Sequence, residues 1–491
     1  LLGAIGERFG REPDPAALRA RPTLAALADW LRGQHPESAP AVSANPTNAP
    51  SAIVAMACRF PDADTPEQFW TNLASGRDSV RDLAIGRADG APSPRGPGWG
   101  SMLDQVAGFD AAFFGISSEE ADAMDPQQRL LLELAYEALE QAGYAGQRCR
   151  GVRIGVFVGV GEPGYQELML EALGRGAEPS QHSAVGTMRN LAAARIAHAL
   201  DLNGPAIAID TACSSALVAL HLAHASIQRG ECDLALVGAA NLNLTDTPLR
   251  LLQRAGALSP TGRSRAFDDS ADGFAPGEGA AIVLLESLER AQAQRDPLLA
   301  LVRGGAVNND GQALSPMAPN PLRQAEVLQQ AYANAGIDPA SISYIEAHGT
   351  GTPIGDPIEA RTLAQSYPND GMPRFVGSVK TNVGHLLNAA GMPALIKVVL
   401  MLRHGQIPPT LHQQRPSRRF DLASAGLIIN RELRPWDAPH PRRAGINSFG
   451  FGGTNVHMIV EEAPAAEAAP VSHAHVDRVQ LLAISAGSLA A

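Results

Sequence analysis

Between residues 152 and 461 short apolar runs alternate with helix-length stretches, and this alternation restricts the chain to an α/β architecture. The runs Val152–Val160, Ala206–Asp210, Leu234–Ala239, Ala280–Glu286, Ile342–Ala347, Phe375–Val379 and Val456–Glu461 read as strands. Strands without a polar alternation are buried on both faces, so helices must cover the sheets on each side. Helices are predicted at Arg129–Ala142, Ser214–Gln228, Arg323–Ala335 and Ala389–Arg403. Two segments also echo one another. Gly277–Glu286 and Gly452–Glu461 are both glycine-rich turns feeding a strand that ends in glutamate, as expected of two related halves.

The chain has 491 residues, more than one core usually organises. Residues 1–36 are predicted helical, with Leu24, Leu27 and Leu31 on one face and Pro22 at a helix start. Residues 37–50 are too rich in Pro, Ser, Ala and Asn to build a core and read as a linker. A globular body is expected over 51–462. Residues 463–491 read as a second linker and the start of a following domain. With 39 basic and 50 acidic residues the net charge is −11, without the basic excess that nucleic-acid binding requires. The four cysteines, Cys58, Cys149, Cys213 and Cys232, form no CxxC or CxxH spacing, which argues against zinc or a disulfide framework. The first residues lack a signal-peptide layout, and no apolar stretch reaches the roughly 18 residues that span a bilayer. A cytoplasmic protein with no membrane partner is expected.

The strongest chemical signal is Ile209-Asp210-Thr211-Ala212-Cys213-Ser214-Ser215-Ala216-Leu217-Val218. An apolar strand runs through small residues into a helix, so Cys213 is predicted at the helix N-terminus. Free backbone N–H groups and the dipole there favour a thiolate, and the same N–H groups can hold a thioester oxyanion. Cys58, Cys149 and Cys232 lack this setting and read as structural thiols.

Two of the 13 histidines share a strand-end, glycine-flanked position. His348 lies in Glu346-Ala347-His348-Gly349-Thr350-Gly351-Thr352, and His385 in Lys380-Thr381-Asn382-Val383-Gly384-His385. His182, His198, His221, His224, His404 and His412 read as surface or core residues. Two imidazoles near a sulfur nucleophile suit decarboxylation, because neutral donors stabilise an enolate oxygen whose charge is transient. In Asn447-Ser448-Phe449-Gly450-Phe451-Gly452-Gly453-Thr454-Asn455, the glycines permit close backbone approach to a ligand. Three other patterns carry no function. Gly159–Gly164 matches GxGxxG but contains Pro163, Asp268–Gly273 lacks the glutamate that completes a calcium loop, and no GxxxxGK[ST] occurs. No metal or nucleotide is called for.

Together these motifs resemble the β-ketoacyl synthases of the thiolase superfamily, and more narrowly the ketosynthase domain of modular type I polyketide synthases. Met56–Pro61, Met124–Arg129 and Ala271–Phe274 add to the likeness, which covers about residues 51–462. The resemblance implies a five-layered αβαβα thiolase-like fold of two similar halves, assembled as a homodimer. It implies that Cys213 accepts an acyl chain from the 4'-phosphopantetheine arm of an acyl carrier protein, with no cofactor bound to the chain itself. His348 and His385 then support decarboxylation of a malonyl-type extender, supplied by an integrated or a separate acyltransferase, and the carbanion attacks the Cys213 thioester. By the same resemblance Lys380 and Glu359 organise the histidines. The backbone N–H groups of Cys213 and Phe451 form the oxyanion hole, and Phe451 gates the pocket. Thr350 and Thr352 hold the pantetheine arm, and Asn447, Gly452 and Gly453 join the substrate-binding residues. Residues 1–36 are similar to the end of an upstream acyl carrier protein, without its serine motif. One departure stands out: Leu387 replaces a position that is commonly polar or acidic in the family.

A degradative thiolase uses a second, late cysteine, and none follows Cys232. The remaining alternative is a non-elongating domain that only transfers the chain, for which loss of the histidine at position 348 would be expected.

Overall fold

The computed structural model describes residues 49–464 apart from 93, 95–97, 162–163, 314 and 316. The expectations for 1–36, for nearly all of 37–50 and for 465–491 lie outside the described residues.

One unit is wound twice. The first half runs β1 (Ser51–Arg59), α1 (Pro126–Gln141), β2 (Ile154–Val160), α2 (Leu191–Ala199), β3 (Ala206–Ile209), α3 (Ser215–Gln228), β4 (Leu234–Asn241) and β5 (Gly279–Ser287). The second repeats it as β6 (Ala300–Asn309), α4 (Pro321–Ala335), β7 (Tyr344–Glu346), α5 (Gly355–Ser366), β8 (Arg374–Gly377) and α6 (Gly391–His404). An added edge strand follows, β9 (Leu427–Ile429), before β10 (Arg443–Phe449) and β11 (Thr454–Glu461). In the first half β1–β5 and β5–β4 pair antiparallel, then β4–β2 and β2–β3 parallel. In the second, β6–β11 and β11–β10 are antiparallel and β10–β7 and β7–β8 parallel. The echoing segments are thus β5 and β11, which hold equivalent places. Among the described residues the halves meet edge to edge where Ser51–Ile53 of β1 pairs with Ala300–Val302 of β6.

Side-chain alternation sorts the core into layers. In β4, Leu234, Leu236 and Ala240 pack with Leu131, Leu134 and Ile196 of α1 and α2. Ala235, Val237 and Ala239 of the same strand pack with Leu217, Leu220, Leu395 and Val399 of α3 and α6, which lie between the halves. On the far side Ile345 and Ile459 pack under Val327, Leu328 and Leu363 of α4 and α5. Helices cover both faces of both halves, giving the layers αβαβα. A period of two with both faces apolar is why these strands read as unbroken apolar runs.

Two predicted helix starts fell two or three residues late for a common reason. Proline lacks the N–H that a first turn leaves unbonded, so Pro126 and Pro321 open α1 and α4. Asp125 and Asn320 cap them by accepting from Gln127 N and Leu322 N. β1, β6 and β10 went unpredicted because alanine, glycine and polar residues interrupt their apolar pattern. Glycine is needed at 305, where a Cβ would lie 2.6 Å from His457 O.

Candidate active site

β3 ends at Ile209, and the chain turns through Asp210-Thr211-Ala212-Cys213 into α3. Ala212 carries the turn at φ +53°, a conformation that costs a non-glycine residue energy and must be braced. Ser215 is the brace. Its Oγ accepts from Thr211 N at 2.8 Å and donates to Ala212 O at 2.7 Å. From β10, Ser448 Oγ donates to Cys213 O at 2.7 Å. Gly450 lies against the same turn, where a Cβ would stand 2.4 Å from Thr211 O.

Cys213 is 4% exposed and opens on a cavity of about 430 Å³ that His348, His385, Thr350, Thr352 and Phe451 also line. The predicted thiolate is not the resting state. Burial pushes the thiol above its ordinary value, and hydrogen bonds from Phe451 N–H and its own N–H, with the Lys380 charge, oppose this without overcoming it. The helix start is outweighed by removal of the sulfur from water.

His348 follows β7, and His385 follows a short helix, Lys380–Val383. Their ring centroids stand 5.6 Å apart, edge to face at 83°. Phe274 packs on His385 at 4.7 Å and Phe449 beside His348 at 5.7 Å. Burial first, then the Lys380 charge, holds both imidazoles well below their usual pKa, so both are neutral at pH 7. Leu387 N–H donates to His385 Nδ1 at 3.1 Å, which puts the proton of that neutral ring on Nε2.

Glu359 lines the cavity but bonds neither ring. Its Oε1 accepts from His348 N at 2.8 Å and Asn447 Nδ2 at 3.0 Å, and its Oε2 from Gly349 N at 2.8 Å. It therefore positions the backbone that carries His348. Lys380 is 3% exposed, and burial lowers its pKa against the pull of Glu346 and Glu359. Thr350 Oγ1 and Thr352 Oγ1 stand 3.1 Å apart on the cavity wall. Two expected substrate contacts fall elsewhere. Asn447 is 2% exposed and lies behind Glu359, its amide shared with His457. Gly452 is exposed and does not line the cavity, whereas Gly453 does. Of this motif, Phe449, Gly450, Phe451 and Gly453 line the cavity.

Three residues escaped the sequence reading. Ser215 looks like any small residue of a helix start. Asn388 donates to Asp210 Oδ1 and Ser215 Oγ, bracing the Cys213 turn from the segment after His385. Asp356 accepts from Phe267 N and Gly351 N, and burial pushes it up to about 7. Leu387, the departing position, has φ +43° and packs against Phe274 and its apolar neighbours.

Over residues 49–291 the chain matches the beta-ketoacyl synthase N-terminal domain, and over 299–414 the beta-ketoacyl synthase C-terminal domain. The chain belongs to the β-ketoacyl synthase family. Residues 416–491 match the ketoacyl-synthetase C-terminal extension. As a ketosynthase it falls among carbon–carbon bond-forming acyltransferases. It is 43% identical over 490 residues to a phenolphthiocerol/phthiocerol polyketide synthase of Mycobacterium tuberculosis, covering 96% of the chain and 26% of that synthase. To the spectinabilin polyketide synthase system protein NorC of Streptomyces orinoci it is 41% identical, covering 96% and 22%. The ketosynthase thus spans about a quarter of these relatives' length. Among solved structures, an oxazolomycin ketosynthase domain of Streptomyces albus aligns with TM-score 0.80 and 38% identity, covering 85% of this chain and 75% of that one. The ketosynthase from module 6 of the bacillaene synthase of Bacillus subtilis aligns with TM-score 0.77 and 38% identity, covering 84% and 72%. Among the described residues no helix is long and apolar enough to cross a membrane.

Proposed function

We propose that this ketosynthase performs decarboxylative Claisen condensation on carrier-bound acyl chains during polyketide assembly. The observation that carries the reading is one cavity shared by a buried thiol and two neutral imidazoles, one with its proton on Nε2. In the first half-reaction Cys213 Sγ attacks the thioester of an acyl-phosphopantetheine arm. A sulfur–carbon bond forms to Cys213 while that to the pantetheine breaks, and the thiol proton leaves with the departing thiol. In the second, the extender loses its carboxylate as CO2, and His348 and His385 donate to the enolate oxygen. The carbanion attacks the Cys213 thioester, and collapse of the tetrahedral oxyanion expels the sulfur. The N–H groups of Phe451 and Cys213 act to lower the Cys213 thiol pKa, which supports their use as the oxyanion hole.

Thr350 and Thr352 offer hydroxyls to the pantetheine amides, and Phe451, 38% exposed at the mouth, is suited to gate entry beside Gly453. Acyl carrier proteins are the partners this chemistry needs. Homodimer assembly is supported by β3, a sheet-edge strand whose Ile207 is 41% exposed. Four free cysteines suit a reducing cytoplasm.

Intact-mass measurement of acyl loading, paired with extension from a malonyl carrier, tests the reading. Cys213→Ala should load nothing, and His348→Ala should load normally and extend nothing. Loading that survives in Cys213→Ala, or extension in His348→Ala, refutes the assignment; a wild-type chain that loads and never extends is a transfer domain instead.

A further inference from the structure

A row of hydrogen bonds runs from the cavity into the outer layer formed by α4 and α5. It starts at Glu359 on α5 and passes to Asn447 of β10. Asn447 Oδ1 meets His457 Nδ1 at 2.6 Å, from the directly opposed position on β11. His457 Nε2 meets Tyr332 Oη of α4 at 3.0 Å, and Tyr332 Oη meets Tyr367 Oη just past α5. Asn447, His457, Tyr332 and Tyr367 are all at most 4% exposed.

Each proton in the row has one possible place. Asn447 turns its Nδ2 to the Glu359 carboxyl, so its Oδ1 must accept from an N–H on His457 Nδ1. Neutral His457 then accepts at Nε2 from the Tyr332 hydroxyl, whose oxygen accepts from Tyr367. Burial holds His457 neutral, its pKa lowered to about 3. Backbone keeps the space open: at Gly445 a Cβ would lie 2.6 Å from His457 Cε1 and 3.0 Å from Tyr367 Oη.

Apolar residues of equal volume would fill this layer at no desolvation cost, so a satisfied polar row calls for a reason. The reason lies at its inner end. One oxygen, Glu359 Oε1, receives both the Asn447 amide and the His348 backbone N–H. Gly349 beside it, at φ +41°, is pressed to where a Cβ would lie 2.8 Å from Ser378 Cβ. We propose that Tyr367, Tyr332, His457 and Asn447 are positioning residues that orient Glu359, and through it the backbone that aims the His348 imidazole during decarboxylation. This rests on the reading of His348 as a decarboxylation residue.

The test separates the two half-reactions in His457→Leu, His457→Gln, Tyr367→Phe and His348→Ala, each checked for native melting. His457→Leu should lower the extension rate by about tenfold to a hundredfold, the scale set by ångström-sized misplacement of a reacting group. Cys213 acylation and the KM for the malonyl carrier should stay at wild-type values. His457→Gln should recover most of the rate, since its amide can donate to Asn447 and accept from Tyr332. Tyr367→Phe, which removes a single oxygen, should fall between. Parallel losses of acylation and extension, equal rates for Gln and Leu, or no loss in either variant overturn the row. If the Leu variant does not fold, unchanged extension in Tyr367→Phe is enough to overturn it. Normal extension by His348→Ala, by contrast, overturns the catalytic reading of that histidine and removes the row's purpose with it.

Discussion

Asn388 donates to Ser215 Oγ at 3.0 Å, so the turn that orients His385 also braces the turn that presents Cys213. The same amide reaches Asp210 Oδ1 at 2.9 Å, and one residue earlier Leu387 N–H fixes the His385 tautomer. Two catalytic candidates more than 170 residues apart in the chain are held by a single short segment.

Asn388→Ala should therefore slow acylation of Cys213 by roughly tenfold, because Ser215 loses the donor that orients it and Ala212 is less firmly held at positive φ. The stability cost should be about 1 kcal/mol for the hydrogen bonds lost, since Ser215 Oγ keeps its bonds to Thr211 N and Ala212 O. Burst-phase acylation followed by intact mass measures the first, and chemical denaturation the second. An unchanged burst would leave Asn388 with no part in placing the sulfur.

Gly450→Ala probes the opposite side of that turn. A methyl 2.4 Å from Thr211 O and 2.9 Å from Ser214 Oγ cannot be accommodated without moving the Cys213 turn or the Phe449–Gly453 loop. Overpacking of this kind costs about 1–3 kcal/mol. Both movements disturb the N–H groups of Cys213 and Phe451, so acylation and condensation should fall together. Steady-state and single-turnover rates that match wild type would show the loop to be compliant.

These braces were the part of the site that sequence left hidden. Cys213, His348 and His385 stood out because each comes soon after an apolar run and lies beside small or glycine residues, a local pattern. The halves were legible in the echo of β5 and β11, since equivalent positions in a sheet impose equivalent turns and burial. Asn388 and His457 carry no such local mark. Their partners lie across the sheet or in another layer, so only three-dimensional pairing assigns them. Asn447 misled for a related reason: it shares a motif with cavity-lining residues, but its amide is taken up by Glu359 and His457. The helix-start argument for a thiolate was locally sound and failed on burial, which a local motif does not reveal.

That failure has a pH signature. Burial raises the Cys213 thiol above its ordinary value, so at pH 7 nearly all of it is protonated and reactivity should rise with pH toward and beyond 9. His348 and His385 are held well below 6.5, so they remain neutral from pH 6 to 9 and should add no step there. The rate of alkylation by iodoacetamide, read by mass and corrected with Cys213→Ala, should climb through the alkaline range without a plateau near 7. A plateau beginning between pH 6 and 7 would mean that a preformed thiolate–imidazolium pair exists, contrary to the order of effects at this site.

The edge of the sheet offers the remaining test. β3 pairs with β2 on one side and ends the sheet on the other, and its sequence, Ala206-Ile207-Ala208-Ile209, has neither charge nor proline to discourage pairing. An uncharged apolar edge is a template for another strand, and a second copy presents the same edge. Ile207, exposed by 41%, would be buried in such a pairing. Full burial of an isoleucine is worth about 1.5–3 kcal/mol and only the exposed 41% of Ile207 remains to be buried, so with twofold symmetry its replacement should cost about 1–2.5 kcal/mol of association. Ile207→Lys adds like charges facing each other across the axis and should convert a dimer to a monomer at micromolar concentration in sedimentation velocity. Because Asp210 lies one residue past β3 and bonds Asn388, the monomer should also acylate Cys213 more slowly than the dimer. A wild-type chain that sediments as a monomer refutes the pairing, and an Ile207→Lys chain that remains dimeric places the interface elsewhere.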